Sequence, residues 1–514
     1  MSLHHSESLG DLLHRAVLAD PDGLAVIDVN TRWSWVQLQD TVRIIAAALA
    51  SYGAEPGDRV AVQLPTSAEF VAVYLGALRA GLVVVPVNPA YTAPELSHIL
   101  GDSGARLLLT SSAEAVGAGS GLRLEHPGLD RILVLARSGA DAVGGVAQLL
   151  ADGTDADPVE REPRGEALAV LLYTSGTSGR PKAAMLPMRA LMANLAQLDR
   201  VHPPLLTASD TVFVPLPLFH IFGLNAGLGM ALSAGAGMVL GARFDADSSL
   251  HTIRSEAVSV VLGAPLEFAG WAGHPDFSAS FGGVRLALSG SAPLPAELVA
   301  RYWDVGVPLC EGYGLTEAAP VVTCNVMPAG DRLAEPKAGS IGRPIPGVEV
   351  RLNDAADEEV EVGDLGVIQV KGDNLFQGYW PDGQDGPDAD GWFSTGDLAV
   401  ADDDGDLYLV GRRHDLILVN GFNVYPAEVE SVLARARGVA EVAIMGEPNS
   451  DGVDEVVAYV VPEPGAELDP EDILDLATRS LARFKLPRRI VEVNALPHTA
   501  TGKVMKWRLR QITE

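Results

Sequence analysis

Tyr173-Thr-Ser-Gly-Thr-Ser-Gly-Arg-Pro-Lys-Ala-Ala-Met185 follows directly on an apolar, strand-like segment, Ala167 to Leu172. Within nine residues it carries four hydroxyl side chains (Thr174, Ser175, Thr177, Ser178), two glycines and a lysine. Gly176 and Gly179 let the backbone turn tightly and bring its N–H groups close to a ligand. The hydroxyls add donors, and Lys182 adds positive charge. A strand ending in such a loop predicts a cradle for a polyphosphate. It is not the P-loop of ordinary NTPases, which needs Gly immediately before the Lys; here that residue is Pro181. A polar surface turn is the plainer alternative, but turns rarely combine so many hydroxyls with Gly-x-x-Gly.

Outward from the cradle, strand and helix signals alternate. Val60 to Leu64, Leu82 to Val87 and Ala105 to Thr110 are short apolar runs that predict buried strands, and Glu69 to Arg79 has helical spacing. Ala151 to Gly165 is acidic, Pro-containing and non-periodic, which predicts a surface linker. Leu191, Leu195 and Leu198 fall at the i, i+4, i+7 spacing of one helix face. Between Gly339 and Leu409 the pattern turns to short β segments broken by Gly and Asp. Beyond Arg412 a compact αβ unit is expected, with helices over Glu428–Ala436 and Asp469–Ala482 and strands over Val439–Met445 and Glu455–Val461.

A chain of 514 residues is too long for a single core and should split into at least two domains. The two cysteines, Cys310 and Cys324, are too far apart for a C-x-x-C motif, and so few thiols suit a reducing cytoplasm. Met1 to Leu13 lacks a basic-then-apolar signal pattern. The uncharged stretch Ala226 to Ala242 holds five glycines and predicts a core helix, a tight turn and a strand rather than a membrane span. A soluble, cytoplasmic protein with no integral membrane segment is expected. A formal charge of −30 argues against a nucleic-acid partner and requires anionic ligands to be captured at local positive sites.

Further motifs extend the pattern. Glu311-Gly-Tyr-Gly-Leu-Thr-Glu317 sets an aromatic ring, a hydroxyl and two carboxylates among glycines, although a Gly-rich strand-to-turn link with a solvated Glu would look similar. Ser289-Gly-Ser-Ala-Pro293 reads alone as an ordinary turn. Gly391-Trp-Phe-Ser-Thr-Gly-Asp397 supplies a bidentate acceptor, and Gly411-Arg412 a cation. Pro497-His-Thr-Ala-Thr-Gly-Lys503 is loop-forming, so Lys503 can extend from it. Pro217-Leu-Phe-His-Ile-Phe-Gly223 places a lone His220 between apolar residues, where a satisfied core histidine is the common reading.

In this order and at these spacings, over residues 173 to 505, the motifs resemble the signatures of the adenylate-forming superfamily, which includes acyl- and aryl-CoA synthetases. The resemblance implies an α/β fold with a large N-terminal domain of layered sheets with helices plus a small β subdomain, and a small mobile α+β C-terminal domain. Residues 1–411 would form the N-terminal AMP-binding and acyl-pocket domain and residues 412–514 the mobile one. It implies that Thr174, Ser175, Gly176, Thr177, Ser178, Gly179 and Lys182 cradle the phosphates of ATP. Ser289, Gly290, Ser291, Ala292 and Pro293 would form the loop beside adenine, with Glu311, Gly312, Tyr313 and Gly314. Thr316 would contact the α-phosphate and substrate carboxylate, and Glu317 would hold Mg²⁺. Asp397 would accept both ribose hydroxyls, with Arg412 near ribose and phosphate. Lys503 would be the catalytic lysine, His414 the hinge residue, and Gly421 would give room to coenzyme A. His220 would gate the acyl pocket and CoA channel, with Phe222, Gly223, Ala264, Pro265 and Ala319 lining the pocket.

Several residues depart from the family pattern. Ala183-Ala184 replaces Gly-Val, Met188 a frequent His, His414 the hinge Asp or Lys, and Leu418 a lysine found in some relatives. The implied reaction is carboxylate plus ATP plus CoA to acyl-CoA, AMP and pyrophosphate through an acyl-adenylate. The uncharged, mostly small lining leads us to expect a medium- or long-chain fatty acid. An aryl acid of the 4-coumarate type is the alternative, as is loading of a carrier protein in place of CoA. A luciferase-like monooxygenase and a silent nucleotide-binding protein are the remaining rivals, the latter disfavoured by intact Thr316, Glu317, Asp397, Arg412 and Lys503. Monomer and homodimer are both compatible with the sequence.

Overall fold

The structure, a computed structural model, describes residues 8–112, 122–123, 125–135, 146–174, 181–241, 244–329, 332–419, 422–448, 454–499, 502 and 504–509. The side chains of Ala329, Arg332, His414, Leu418, Phe422, Asn423 and Trp507 stand outside that description. The chain folds into two compact units. One comprises Met1–Ala338, Gly342–Glu349 and Lys371–Phe393; the other comprises Gly339–Ile341, Val350–Val370 and Ser394–Glu514.

Short all-apolar runs become parallel strands covered on both faces, where every side chain is buried and alternation is lost. In the first unit, Arg131–Val134, Leu107–Thr110, Arg59–Gln63, Val83–Pro86, Leu168–Thr174 and Lys182–Pro187 lie side by side in that order. All neighbours run parallel except the last pair, an antiparallel hairpin. A second sheet runs Arg343–Pro344, Val321–Cys324, Leu309–Gly314, Leu286–Ser289, Val260–Gly263, Thr211–Val214, Gly237–Leu240, Leu24–Ile27 and Arg32–Ser34. Helix Ala68–Arg79 starts where Ser67 Oγ accepts the Phe70 N–H at 3.2 Å, and almost its whole length is buried. An aromatic cluster of Phe268, Trp271, Phe277, Phe281 and Tyr302, in edge-to-face and tilted pairs with ring centroids 4.7–5.8 Å apart, packs with residues of the second sheet.

In the second unit, Val348–Asn353, Leu365–Gly372, Trp392–Ala401 and Leu407–Arg412 form a four-stranded sheet whose strand ends reach into the first unit's sequence. Val439–Pro448, Asp454–Pro462 and Arg489–Glu492 form another sheet, covered by helices Pro426–Leu433 and Pro470–Ser480 around Val429, Leu433, Ile473 and Ala477.

The predicted strands and helices occur within a few residues of their expected limits. Two differ in kind. Helix Val146–Thr154 runs into the expected linker, because Val146 and Leu149 find a buried face. The helix expected after Ala226 begins earlier, at Phe222, and winds as a π-helix to Gly229 before an α-helical turn at Met230–Ala234. Among the described residues no helix is long and apolar enough to cross a membrane.

Asp210 and Arg285 join the edges of three strand connections. Arg285 donates to both Asp210 oxygens at 2.8 and 2.7 Å, and also to the carbonyls of Pro204 and Leu205. Burial alone would push the Asp210 carboxyl up; bonds from Arg285, Ser259 and Thr207 override it and hold its pKa down to about 2. This stabilisation is complete above the ordinary carboxylate range and is lost as pH falls toward 2. We expect Arg285→Ala to cost about 2–3 kcal/mol, since it strands a buried carboxylate. It should also raise the pH at which acid unfolding begins, measured by urea and acid titrations of the first cooperative transition.

Candidate active site

Ligands of open α/β sheets bind beyond the carboxyl ends of the strands. Four neighbouring parallel strands, Leu309–Gly314, Leu286–Ser289, Val260–Gly263 and Thr211–Val214, run directly into the segments expected to be functional: 311–317, 289–293, 264–265 and 217–223. The sheet thus gathers segments that are far apart in sequence onto one edge.

Within 289–293, Ser289 is paired in register with Glu311 on the neighbouring parallel strand. Glu311 Oε1 accepts the Leu294 N–H at 3.3 Å, so this carboxyl props the 290–293 loop from beneath. Burial pushes its pKa up to about 8 against the single backbone bond that lowers it. Ser289 Oγ is buried and, among the described residues, has no hydrogen-bond partner. Ser291 is held at φ 73° and Ala319 at φ 58°, the left-handed region that residues with a side chain seldom occupy. Gly290 has no side chain because Phe222 lies there: an added Cβ would sit 3.1 Å from that ring.

The 311–317 segment is a strand that turns sharply. A Cβ on Gly314 would come 2.2 Å from the Pro320 carbonyl oxygen, so only glycine fits. Tyr313 and Thr316 are buried, and Glu317 is half-buried. Two buried amides fix the turn that follows: Asn374 Nδ2 donates to the Ala318 carbonyl at 2.8 Å and Asn225 Nδ2 to the Ala319 carbonyl at 2.7 Å. Asn225 comes from the π-helix, a conformation that recurs at functional sites.

The expected acyl lining is only partly open. Phe222 and Pro265 are half-buried, whereas Gly223, Ala264 and Ala319 are buried. Gly223 is small for a different reason than depth: a Cβ there would meet the Pro217 carbonyl oxygen at 2.4 Å. A large residue at 223 would therefore push on backbone rather than fill a tunnel. His220 keeps some exposure, yet burial lowers its pKa to about 4, so the ring is neutral near pH 7. Glu267 accepts the Ala264 N–H at 2.7 Å, and burial raises its pKa to about 7.

Thr174 and Lys182 face each other at the mouth of the hairpin, and Thr174 Oγ1 donates to the Lys182 carbonyl at 3.4 Å. Ser175, Gly176, Thr177, Ser178 and Gly179 lie outside the described residues. Lys182 Nζ is 2.9 Å from Asp385 Oδ2 and 5.1 Å from the ring centre of Tyr379. The Tyr379 hydroxyl donates to Glu317 Oε1. Neither Tyr379 nor Asp385 was singled out in the sequence. The available signal was the Gly378-Tyr-Trp380 step before a loop of Gly, Pro and Asp.

In the second unit, Asp397 and Arg412 are cross-strand partners, with Arg412 Nε 2.9 Å from Asp397 Oδ1. Asp397 is almost fully buried. The Met505 N–H donates to the Pro497 carbonyl at 2.7 Å, and Gly502 turns at φ 81°. Lys503 and Gly421 lie outside the described residues, as does the His414 side chain.

The Glu311 carboxyl generates a pH signature. Its folded pKa of about 8 lies above the ordinary 4.5, so the folded state holds a proton that the unfolded chain has already lost. The associated stability is intact below the ordinary carboxyl range and is lost as pH rises toward 8. Glu311→Gln keeps an acceptor for Leu294 and cannot ionise. Between pH 5.5 and 8.5 the parent should lose roughly 1–3 kcal/mol more stability than this variant, read by denaturation at each pH. Parallel curves would show that Glu311 is not held neutral.

A family model for AMP-binding enzymes matches residues 13–380, and one for the AMP-binding enzyme C-terminal domain matches residues 428–503. The chain is 33% identical to feruloyl-CoA synthase from an Amycolatopsis species, across 98% of this chain and 99% of that one. It is also 33% identical to the long-chain-fatty-acid–CoA ligase of Yersinia pestis, across 98% and 94%. The crystal structure of ATP-bound MatB from Rhodopseudomonas palustris superimposes with a TM-score of 0.89 at 32% identity, covering 98% of this chain and 99% of that one. By these two family models and by its relatives, the chain belongs to the AMP-binding enzyme family, within the adenylate-forming superfamily of acid–thiol ligases.

Proposed function

We propose that this chain is an ATP-dependent acyl-CoA synthetase acting on an apolar monocarboxylic acid. A carboxylate oxygen attacks the α-phosphorus of ATP, and the bond to the β-phosphate breaks to release pyrophosphate. The CoA thiol, losing its proton, then attacks the acyl carbonyl, and the bond to AMP breaks. The supporting observation is the set of strand-end loops that places 289–293, Thr316 and Glu317 on one sheet edge, ahead of uncharged residues at Phe222, Ala264 and Pro265. In this reading Lys182 and the 174–179 loop hold phosphate, Tyr313 packs on adenine, and Asp397 receives the ribose hydroxyls.

Glu317 fits a role toward Mg²⁺. One of its oxygens takes the Tyr379 hydroxyl, and among the described residues the other has no hydrogen-bond donor. A single carboxylate beside substrate phosphates is the usual protein share of a Mg²⁺ site, and the chemistry supplied there by the bound ion is neutralisation of phosphate charge. His220, held neutral by burial, suits a gate better than a charged catalyst.

The expected long acyl tunnel has lost part of its basis, because Gly223 is small to admit backbone rather than substrate and Ala319 is fully buried. The Phe222 ring beside Gly290 favours a flat aryl acid over a long chain. A panel of cinnamate, octanoate, dodecanoate, a dicarboxylate and amino acids, scored for AMP and pyrophosphate with and without CoA, tests this. Cinnamate should exceed dodecanoate in catalytic efficiency, and the charged acids should fail. Dodecanoate as the best substrate would restore the long-chain alternative. Turnover that ignores CoA would favour a carrier-protein acceptor.

We further propose that Lys503 serves only adenylation, with His414 at the hinge of a mobile domain beginning near residue 412. Lys503→Ala should slow acyl-adenylate formation about 10²–10³-fold. Thioester formation from synthetic acyl-adenylate should persist. Equal loss in both half-reactions would refute a role confined to the first.

A further inference from the structure

Strand Lys182–Pro187 is paired on both sides. Leu168–Thr174 borders one edge; residues 377–380 border the other. The Met185 N–H donates to the Gly378 carbonyl at 3.0 Å, the Gln377 N–H to Met185 at 3.0 Å, and the Trp380 N–H to Ala183 at 2.9 Å. Tyr379 is thereby fixed beside the base of the phosphate hairpin. Its ring lies under Lys182 Nζ, and its hydroxyl reaches Glu317. A single side chain touches both the expected phosphate cation and the expected Mg²⁺ carboxylate.

The loop beyond it is equally constrained. The Tyr379 N–H donates to the Gln384 carbonyl at 2.9 Å, and the Gly383 N–H donates to the Tyr379 carbonyl at 2.8 Å. A Cβ on Gly378 would meet the Gly383 carbonyl oxygen at 2.1 Å, and one on Gly386 would meet Gly378 Cα at 3.0 Å. These close approaches fold the loop back so that Asp385, at φ 54°, sets its carboxylate on Lys182. A carboxylate at 2.9 Å from Nζ occupies the place that a phosphate oxygen would take.

We propose that Tyr379 is a positioning residue for adenylate formation, holding Lys182 and Glu317 in register, and that Asp385 is an internal stand-in for nucleotide phosphate on Lys182. This rests on the reading of Lys182 as the phosphate cation and Glu317 as the metal-binding carboxylate. Nucleotide must displace Asp385 to reach Lys182, so the two groups compete. Both Lys182 and Asp385 are well exposed, which keeps the competition weak enough for ATP to win.

The test uses the full-length enzyme, α,β-methylene-ATP as a non-reacting nucleotide and Mn²⁺ as a spectroscopic probe of the metal site. Nucleotide affinity is read by calorimetry and Mn²⁺ affinity in the nucleotide complex by electron paramagnetic resonance. Asp385→Asn should tighten nucleotide binding by roughly two- to fivefold, the range of an exposed ion pair. Tyr379→Phe keeps the ring under Lys182 and loses the hydroxyl; it should weaken Mn²⁺ binding by roughly three- to tenfold and barely change nucleotide affinity without metal. Lys182→Ala should weaken nucleotide binding in either case. If it does not, the underlying assignment of Lys182 is wrong. If it does, yet Asp385→Asn leaves nucleotide affinity unchanged or weaker, or Tyr379→Phe leaves Mn²⁺ affinity at the parental value, the proposal is overturned.

Discussion

The backbone ladder on strand Lys182–Pro187 governs the rest of the site. An outer strand of a sheet exposes a row of unpaired N–H and C=O groups. Here residues 377–380 cover part of that row, and the loop that follows is drawn in with them. The same covering segment carries the Phe376 N–H, which donates to the Glu317 carbonyl at 2.9 Å. Pairing at one sheet edge therefore sets the position of the lysine, the tyrosine and the carboxylate together. Side-chain links extend it further: Trp380 Nε1 donates to the Asp102 carbonyl at 2.9 Å, and the Tyr173 hydroxyl donates to the Asp102 carboxylate at 2.6 Å.

Each described cation of the expected nucleotide site already faces an aspartate: Lys182 meets Asp385, and Arg412 meets Asp397. In a chain of net charge −30 this is a consistent local solution, because uncompensated positive charge is confined. It also means that binding energy from phosphate or ribose is a difference between two paired states. The absolute strength of either ion pair says little about affinity.

Much of this was legible in the sequence. Buried parallel strands such as Val60–Leu64 declare themselves as continuous apolar runs, and the 173–185, 311–317 and 391–397 segments carry enough unusual chemistry to be found. The pairing of Asp397 with Arg412 follows from a spacing that a hairpin brings into register. Other features could not be read. Small residues look alike whether they make room for a ligand or for backbone, which is why Gly223 suggested depth. Tyr379 and Asp385 act through contacts across about 200 residues of chain, with no local periodicity to mark them. A π-helix has no composition of its own, and the stretch from Ala226 reads as an ordinary core helix.

The amides of Asn225 and Asn374 hold the carbonyls of Ala318 and Ala319, so the turn after Glu317 is anchored from two unrelated elements. Neither amide depends on what the side chains of the turn are, since both grip main-chain oxygen. Such a framework separates inheritance of geometry from inheritance of specificity. Lineages can exchange side chains around the pocket while the turn that presents Thr316 and Glu317 stays put. The two asparagines are then positions where drift would be felt, because losing either amide leaves a main-chain oxygen without its donor in a dry interior.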